Sequence, residues 1–374
     1  MSLKITSISL KGFRTFRELE IQRLGRVNLI TGKNNTGKSS LLEALRLFAW
    51  NGAPTMIQSI SREREEIPVD LDQGKTAEEL ERMFLAISSL FRGFPQLSEK
   101  PEPIVVATSG DSYMKLTLDL DWIVKKRDED GNTRLVRPQG EIPGEANSDL
   151  ALIVKTDDDA PVATMLGELY DYYDTPRFWR KLTAIQRIPC FFVSPNGGTG
   201  TTALAGFWDR IALTEHEQHV IRALRIIDRN ISAVSMVGDK YGPFRTAIVR
   251  ADNINRPVPL RSFGDGLNRL FGIVLSLINA RNGLLLIDEF ENGLHHTVQH
   301  DVWRIIFELA RDLDIQIFAT SHSWDAVEAF QRAAQETPEE GVLIRLTRRE
   351  EEIIPTVFTE DELAVATRDR IEVR

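Results

Sequence analysis

Gly32-Lys33-Asn34-Asn35-Thr36-Gly37-Lys38-Ser39 has the form G-x-x-x-x-G-K-[ST]. Residue types in this order suit the holding of a chain of phosphates. Two glycines let the backbone turn its N–H groups inward, and a helix starting at the loop adds the positive end of its dipole. Lys38 would place an ammonium on the β- and γ-phosphates of a nucleoside triphosphate, and Ser39 a hydroxyl on Mg²⁺. Asn34, Asn35, Thr36 and Ser40 complete the expected cradle.

Three further groups carry chemistry. Leu284-Leu285-Leu286-Ile287-Asp288-Glu289 is an apolar strand ending in two carboxylates. Carboxylates there are costly unless they face a metal or a polar cleft. Asp288 would join the Mg²⁺ shell and Glu289 would orient or activate an attacking water. Taken alone, the pair is also what a helix N-terminus favours. Ser262-Phe263-Gly264-Asp265-Gly266 sets a hydroxyl and bare backbone before an amphipathic helix, an anion site or simply a cap. Finally, the strand Ile315 to Thr320 runs into Ser321-His322-Ser323. In open α/β sheets the binding crevice lies at the carboxyl ends of the strands, where Thr31–Gly32, Asp288–Glu289 and Ser321–His322 all fall.

The elements that must position these groups can be read from spacing. Ile5 to Leu10 and Phe16 to Ile21 predict a hairpin. Val27 to Thr31 is a strand leading into the loop, and Leu41, Leu42, Leu45 and Phe48 form the apolar face of the next helix. Residues 51–97 read as loosely helical, with a charged run from Arg62 to Glu66. Strands follow at Ile104 to Thr108 and Met114 to Val124, then a turn at 128–132. Residues 138–162 read as loop around a strand from Leu150 to Lys155. Helices are expected at 204–212 and 215–227, and strand at 233–250. A helix (267–280), strand (284–287), helix (297–312) and strand (315–320) then alternate, which predicts a parallel sheet with helices packed on it.

Composition narrows the class. The 374 residues are 42% hydrophobic and 27% charged, typical of a soluble globular chain. No apolar stretch approaches the roughly 18 residues of a membrane span. A single cysteine, Cys190, excludes an intrachain disulfide and suits a reducing cytoplasm. Its apolar neighbours predict a buried structural thiol. The net charge of −9 argues against bulk attraction to nucleic acid. Residues 1–50 nevertheless hold nine basic and three acidic groups, a local +6 that could face DNA or a nucleotide phosphate. His296 and His300 lack a third metal ligand and read as a solvated helix face. Residues 196–202 read as a connecting loop.

The order of loop, S-x-G-x-G, apolar-D-E and histidine resembles the ABC-type ATPase head. The spacing agrees, with 22 residues from Gly266 to Asp288 and 34 from Asp288 to His322. The opening Ile8-Ser9-Leu10-Lys11-Gly12-Phe13-Arg14-Thr15-Phe16 is similar to the start of SMC, RecF and OLD-type ATPases. Ile287 to His295 and Ile317 to Trp324 resemble the OLD-like "AAA15" branch, here without a TOPRIM domain. That likeness implies an α/β P-loop NTPase fold with a mixed or parallel core sheet, an antiparallel β subdomain and helical insertions. Residues 1–50 and 185–350 would be the head, 51–184 an insertion and 351–374 a C-terminal tail.

The same likeness implies a function. Two heads would pair around two ATP molecules, with Ser262, Gly264 and Gly266 of one completing the other's site. His322 resembles the histidine that senses the γ-phosphate, so catalysis would fall to Glu289, His322 and Lys38. Arg14 resembles an early arginine near the nucleotide. Asn35 and the Phe263–Asp265 pair depart from the usual motifs, and no glutamine loop can be assigned. The expectation is a cytoplasmic, Mg²⁺-dependent ATPase, a homodimer or higher homo-oligomer. It would control a nuclease or TOPRIM-like effector in trans as part of anti-phage defence, docked through an exposed Arg62 to Glu66 run. The alternative is a RecF-like protein that binds DNA under ATP control.

Overall fold

The computed structural model describes residues 3–66, 77–110, 113–127, 133–136, 148–157, 159–170, 186–195, 201–238, 245–337, 341–369 and 373. The expected turn at 128–132 and most of the loop at 196–202 lie outside the described residues. Strands run in chain order as β1 (Ile5–Phe13), β2 (Phe16–Ile21), β3 (Val27–Thr31), β4 (Ile104–Gly110), β5 (Met114–Arg127), β6 (Thr133–Val136), β7 (Ser148–Thr156) and β8 (Val162–Met165). The remainder are β9 (Cys190–Val193), β10 (Ile231–Gly238), β11 (Arg245–Ala251), β12 (Val258–Pro259), β13 (Leu284–Ile287), β14 (Gln316–Thr320), β15 (Gly341–Arg349) and β16 (Glu352–Phe358).

The central sheet has the order β16-β15-β3-β14-β13-β9, parallel except for the antiparallel edge strand β16. Strands β3, β13 and β14 are buried at every position, as expected of parallel strands covered on both faces. Alternation along each strand then feeds two cores. Leu285 and Ile287 point into one, built on the helices Asp265–Asn279, His296–Asp312 and Trp324–Ala334. Leu284 and Leu286 point into the other, shared with the helix Lys38–Ala49 and an antiparallel sheet of order β2-β1-β4-β5-β7-β8. Asn28, buried inside β3, is satisfied by the carbonyls of Gly25 and Ile317.

Strand pairing ties two of the expected segments to the rest of the chain. Strand β4, from the segment expected to be an insertion, pairs with β1 from Ile5 to Lys11. The segment therefore shares one antiparallel sheet with β1 and β2. The stretch expected to be a tail supplies β16 and the helix Glu360–Arg368, whose start carries a Thr359–Glu362 capping box. Beyond that helix, Val373 is fully buried and its carbonyl accepts a hydrogen bond from Thr31 Oγ1 at the end of β3. Isolated carboxylates and basic residues gave the sequence a polar look there, while the alternation of Ile353 with exposed neighbours is what marks the strand.

Candidate active site

Strand β3 ends at Thr31, and the helix Lys38–Ala49 begins after Gly37, so residues 32–37 form a tight loop at the carboxyl edge of the sheet. Gly37 sits at φ 86°, and a Cβ there would lie 2.6 Å from Phe16 Cζ. Only glycine fits both demands. Asn35 sits at φ 62°, a left-handed conformation that Asn tolerates better than most residues. The left-handed backbone is a physical reason for Asn at this position. Lys38 Nζ donates to the carbonyls of Gly32 at 2.7 Å and Lys33 at 3.1 Å, folding the side chain back over its own loop. Burial lowers the pKa of Lys38, and the carboxylates of Asp288, Glu291 and Glu289 oppose that shift.

The acidic pair ends β13, beside β14. Thr320, buried at the end of β14, joins the two carboxylate residues. Its hydroxyl donates to Asp288 Oδ1 and accepts from the Glu289 N–H at 2.8 Å. Glu289 adopts φ 48°, a left-handed conformation that side-chain-bearing residues seldom take, of the kind that clusters at functional sites. Asn292 Nδ2 donates to Glu289 Oε2 at 2.6 Å, fixing the carboxylate. Glu291 accepts from the His322 N–H at 2.9 Å, and its Oε1 lies 3.1 Å from His322 Nδ1. The histidine ring is thus tethered at one nitrogen beside the cleft.

The S-x-G-x-G segment lies elsewhere. Ser262 closes a 3₁₀ turn, Gly264 takes φ 98°, and the helix Asp265–Asn279 starts immediately after. Ser262 and Gly264 are exposed. Gly266 is pressed against the loop that follows the acidic pair, since a Cβ there would meet the Gly293 carbonyl oxygen at 2.5 Å. Three positions on, Arg269 is almost fully buried. Its guanidinium donates to the carbonyls of Asp288 at 2.7 Å, Glu289 at 3.2 Å and Ser194. Burial pulls its pKa down to about 10, with the carboxylates of Asp288, Glu289 and Glu291 acting the other way.

A cleft of about 800 Å³ unites the loop residues Asn34 to Ser40 with Asp288, Glu289, His322 and Arg14. Ser262, Gly264 and Gly266 are not part of its lining. Arg14 reaches the cleft wall, but its guanidinium is held by Glu43 at 2.5 Å and Glu66 at 2.7 Å. The expected docking run is engaged in the same way: Glu63 pairs with Arg46 and Arg64 with Glu43, both at 2.6 Å. The Arg62 to Glu66 run is exposed from Arg62 to Glu65 and is at the same time tied by ion pairs to the cleft wall. Sequence reasoning missed Arg269, Thr320, Glu291 and Asn292. Arg269 offered a signal, a lone cation inside an otherwise apolar helix face.

Comparison with known proteins finds ATPases along most of the chain. Residues 3–137 match a family described as "AAA ATPase domain", and residues 182–327 one described as "AAA domain, putative AbiEii toxin, Type IV TA system". An ATP/GTP phosphatase of Helicobacter pylori is 22% identical over 355 residues, covering 89% of each chain. The DNA replication and repair protein RecF of Bacillus mycoides is 36% identical over 84 residues, 22% of this chain and 21% of that one. An SMC head crystallised with the C-terminal winged-helix domain of ScpA shares the fold at a TM-score of 0.50 and 12% identity, covering 95% of this chain and 97% of its own. The chain is an ATPase with the fold of an SMC head. ATP hydrolysis is the activity these likenesses support, and the loop 32–39, with its glycines and helix start, has a form suited to phosphates. Among its described residues no helix is long and apolar enough to cross a membrane.

Proposed function

We propose that this ATPase is a Mg²⁺-dependent switch that closes as a homodimer around two ATP molecules. One observation carries the reading: Ser262 and Gly264 are exposed and stand outside the cleft of their own chain. A hydroxyl and bare backbone at a helix start suit an anion, and a second copy would bring one. Ser39 and Asp288 offer hard oxygen donors, which fit Mg²⁺. When bound, the ion would offset phosphate charge. Glu289, steadied by Asn292, would orient the attacking water and accept its proton, and His322 would donate to the γ-phosphate. Lys38 would leave the carbonyls of Gly32 and Lys33 for the phosphates.

In this reading the dimer is a regulatory ATPase of a defence system, controlling an effector in trans. The toxin–antitoxin description matched by residues 182–327 supports it. A second reading, a RecF-like DNA-binding ATPase, is favoured by the 84-residue likeness to RecF and by the basic N-terminal segment. Sedimentation of Glu289→Gln, with and without ATP and Mg²⁺, tests the switch. ATP should shift it from monomer to dimer while hydrolysis is largely lost. A variant that stays monomeric with ATP bound would overturn the sandwich. DNA binding that steepens with falling salt only when ATP is present would favour the RecF-like reading.

A further inference from the structure

Phe94 is the most exposed aromatic side chain among the described residues, 71% accessible, yet it lines the same cleft as the phosphate loop. It sits at φ 51°, directly after Gly93 at φ 83°. A bulky residue seldom adopts that conformation, and here burial does nothing to offset it. The mount beneath it is firm. Arg14 N–H donates to the Leu90 carbonyl at 2.8 Å, Arg92 N–H donates to the Gly12 carbonyl at 3.0 Å, and Phe13 bridges Phe91. The loop thus holds an aromatic face in the cleft from a fixed base.

Sheet order tells which end of a nucleotide this face would meet. The groups that act on the terminal phosphate follow β13 and β14, on one side of β3. Arg92, two residues before Phe94, forms an ion pair at 3.0 Å with Glu351, in the turn between β15 and β16 on the opposite side of β3. A triphosphate lying on the loop with its γ end toward Glu289 and His322 therefore directs its base toward Phe94. We infer that Phe94 is the platform on which the purine base of the bound nucleotide stacks. Stacking reads the face of a base and not its edge, so adenine and guanine gain alike. The inference rests on the ATPase assignment and adds to it a residue that no motif marks.

The test is equilibrium binding of ATP, GTP and inorganic triphosphate to wild type, Phe94→Ala and Phe94→Tyr. Phe94→Ala should weaken ATP and GTP in the same proportion, on the order of ten-fold, and leave inorganic triphosphate unchanged. Phe94→Tyr, which keeps the ring, should bind all three as wild type does. Unchanged ATP affinity in Phe94→Ala would overturn the inference. So would an equal loss for all three ligands, because the effect would then act through the phosphate loop. A wild type that binds none of them would overturn the ATPase assignment together with the platform.

Discussion

Arg269 Nη2 donates to the backbone carbonyl of Asp288 at 2.7 Å, tying the helix that follows Ser262 to the strand end that carries both carboxylates. The tie is reinforced at Glu289 and Ser194, and by the close approach of Gly266 to Gly293. These contacts link the exposed start of that helix to Glu289. Arg269→Met keeps the length of the stem and removes every donor. It should lower kcat by about ten-fold or more, with a smaller change in KM, and cost about 2–3 kcal/mol of stability for the abandoned carbonyls. Single-turnover hydrolysis and urea unfolding measure the two effects. Wild-type kcat in a folded Arg269→Met protein would show that the tie does not serve catalysis.

The sandwich makes a prediction that no single variant can imitate. Ser262→Arg should leave nucleotide binding to its own loop intact, because Ser262 does not line that cleft. It should block closure through bulk and charge. Lys38→Ala should fail to bind ATP, having lost its cationic donor to the phosphates. Mixed in equal amounts, the two inactive proteins can form hybrids with one site that pairs an intact Lys38 with an intact Ser262. Partial recovery of ATP hydrolysis on mixing is the expected outcome. No recovery at any mixing ratio would count against a site composed of Lys38 from one chain and Ser262 from another.

Glu66 connects the charged run to the cleft. It pairs with Arg14 at 2.7 Å, and Ser89 Oγ donates to it at 2.8 Å. Glu66→Lys sets a second cation against a buried guanidinium, which should cost about 2–3 kcal/mol. Arg14, left with Glu43 as its remaining ion-pair partner, should also disturb nucleotide binding and raise KM for ATP several-fold. A docking surface without ties to the cleft would show neither effect. Urea midpoints and steady-state KM values at one salt concentration decide the matter.

The phosphate loop, the acidic strand end and the histidine were legible in the sequence because each couples a short motif to a strand end. The all-apolar run Leu284 to Ile287 announced a strand buried on both faces, and all four positions are buried. Less legible was anything carried by backbone pairing between distant segments. Nothing in Ile104 to Gly110 says that it will pair with β1, nor in Glu352 to Phe358 that it closes the central sheet. Polar residues acting through carbonyls were hidden for the same reason. Thr320 and Arg269 have no spacing rule that links them to Asp288, since the link exists only once β14 and the helix Asp265–Asn279 are packed in place. The ion pairs of the charged run were hidden too, because residues 63, 64 and 66 meet Arg46, Glu43 and Arg14 only once their elements are packed together.

Cys190 gives a prediction about pH. The thiol is buried at the start of β9, and burial pushes its pKa up to about 12, opposed weakly by the Arg46 charge. In the folded protein it therefore stays protonated across the range where an unfolded cysteine, with a pKa of about 8.5–9, loses its proton. Above that range the unfolded state binds fewer protons than the native state, so stability falls as pH rises and stops falling only near pH 12. Between pH 8 and pH 10 the wild type should lose about 1.4 kcal/mol more than Cys190→Ala does. Disulfide-exchange reagents should also leave the native thiol untouched at pH 8 and modify it fully in urea. Parallel stability profiles for wild type and Cys190→Ala over that interval would mean that the thiol is not held in its protonated form by the core.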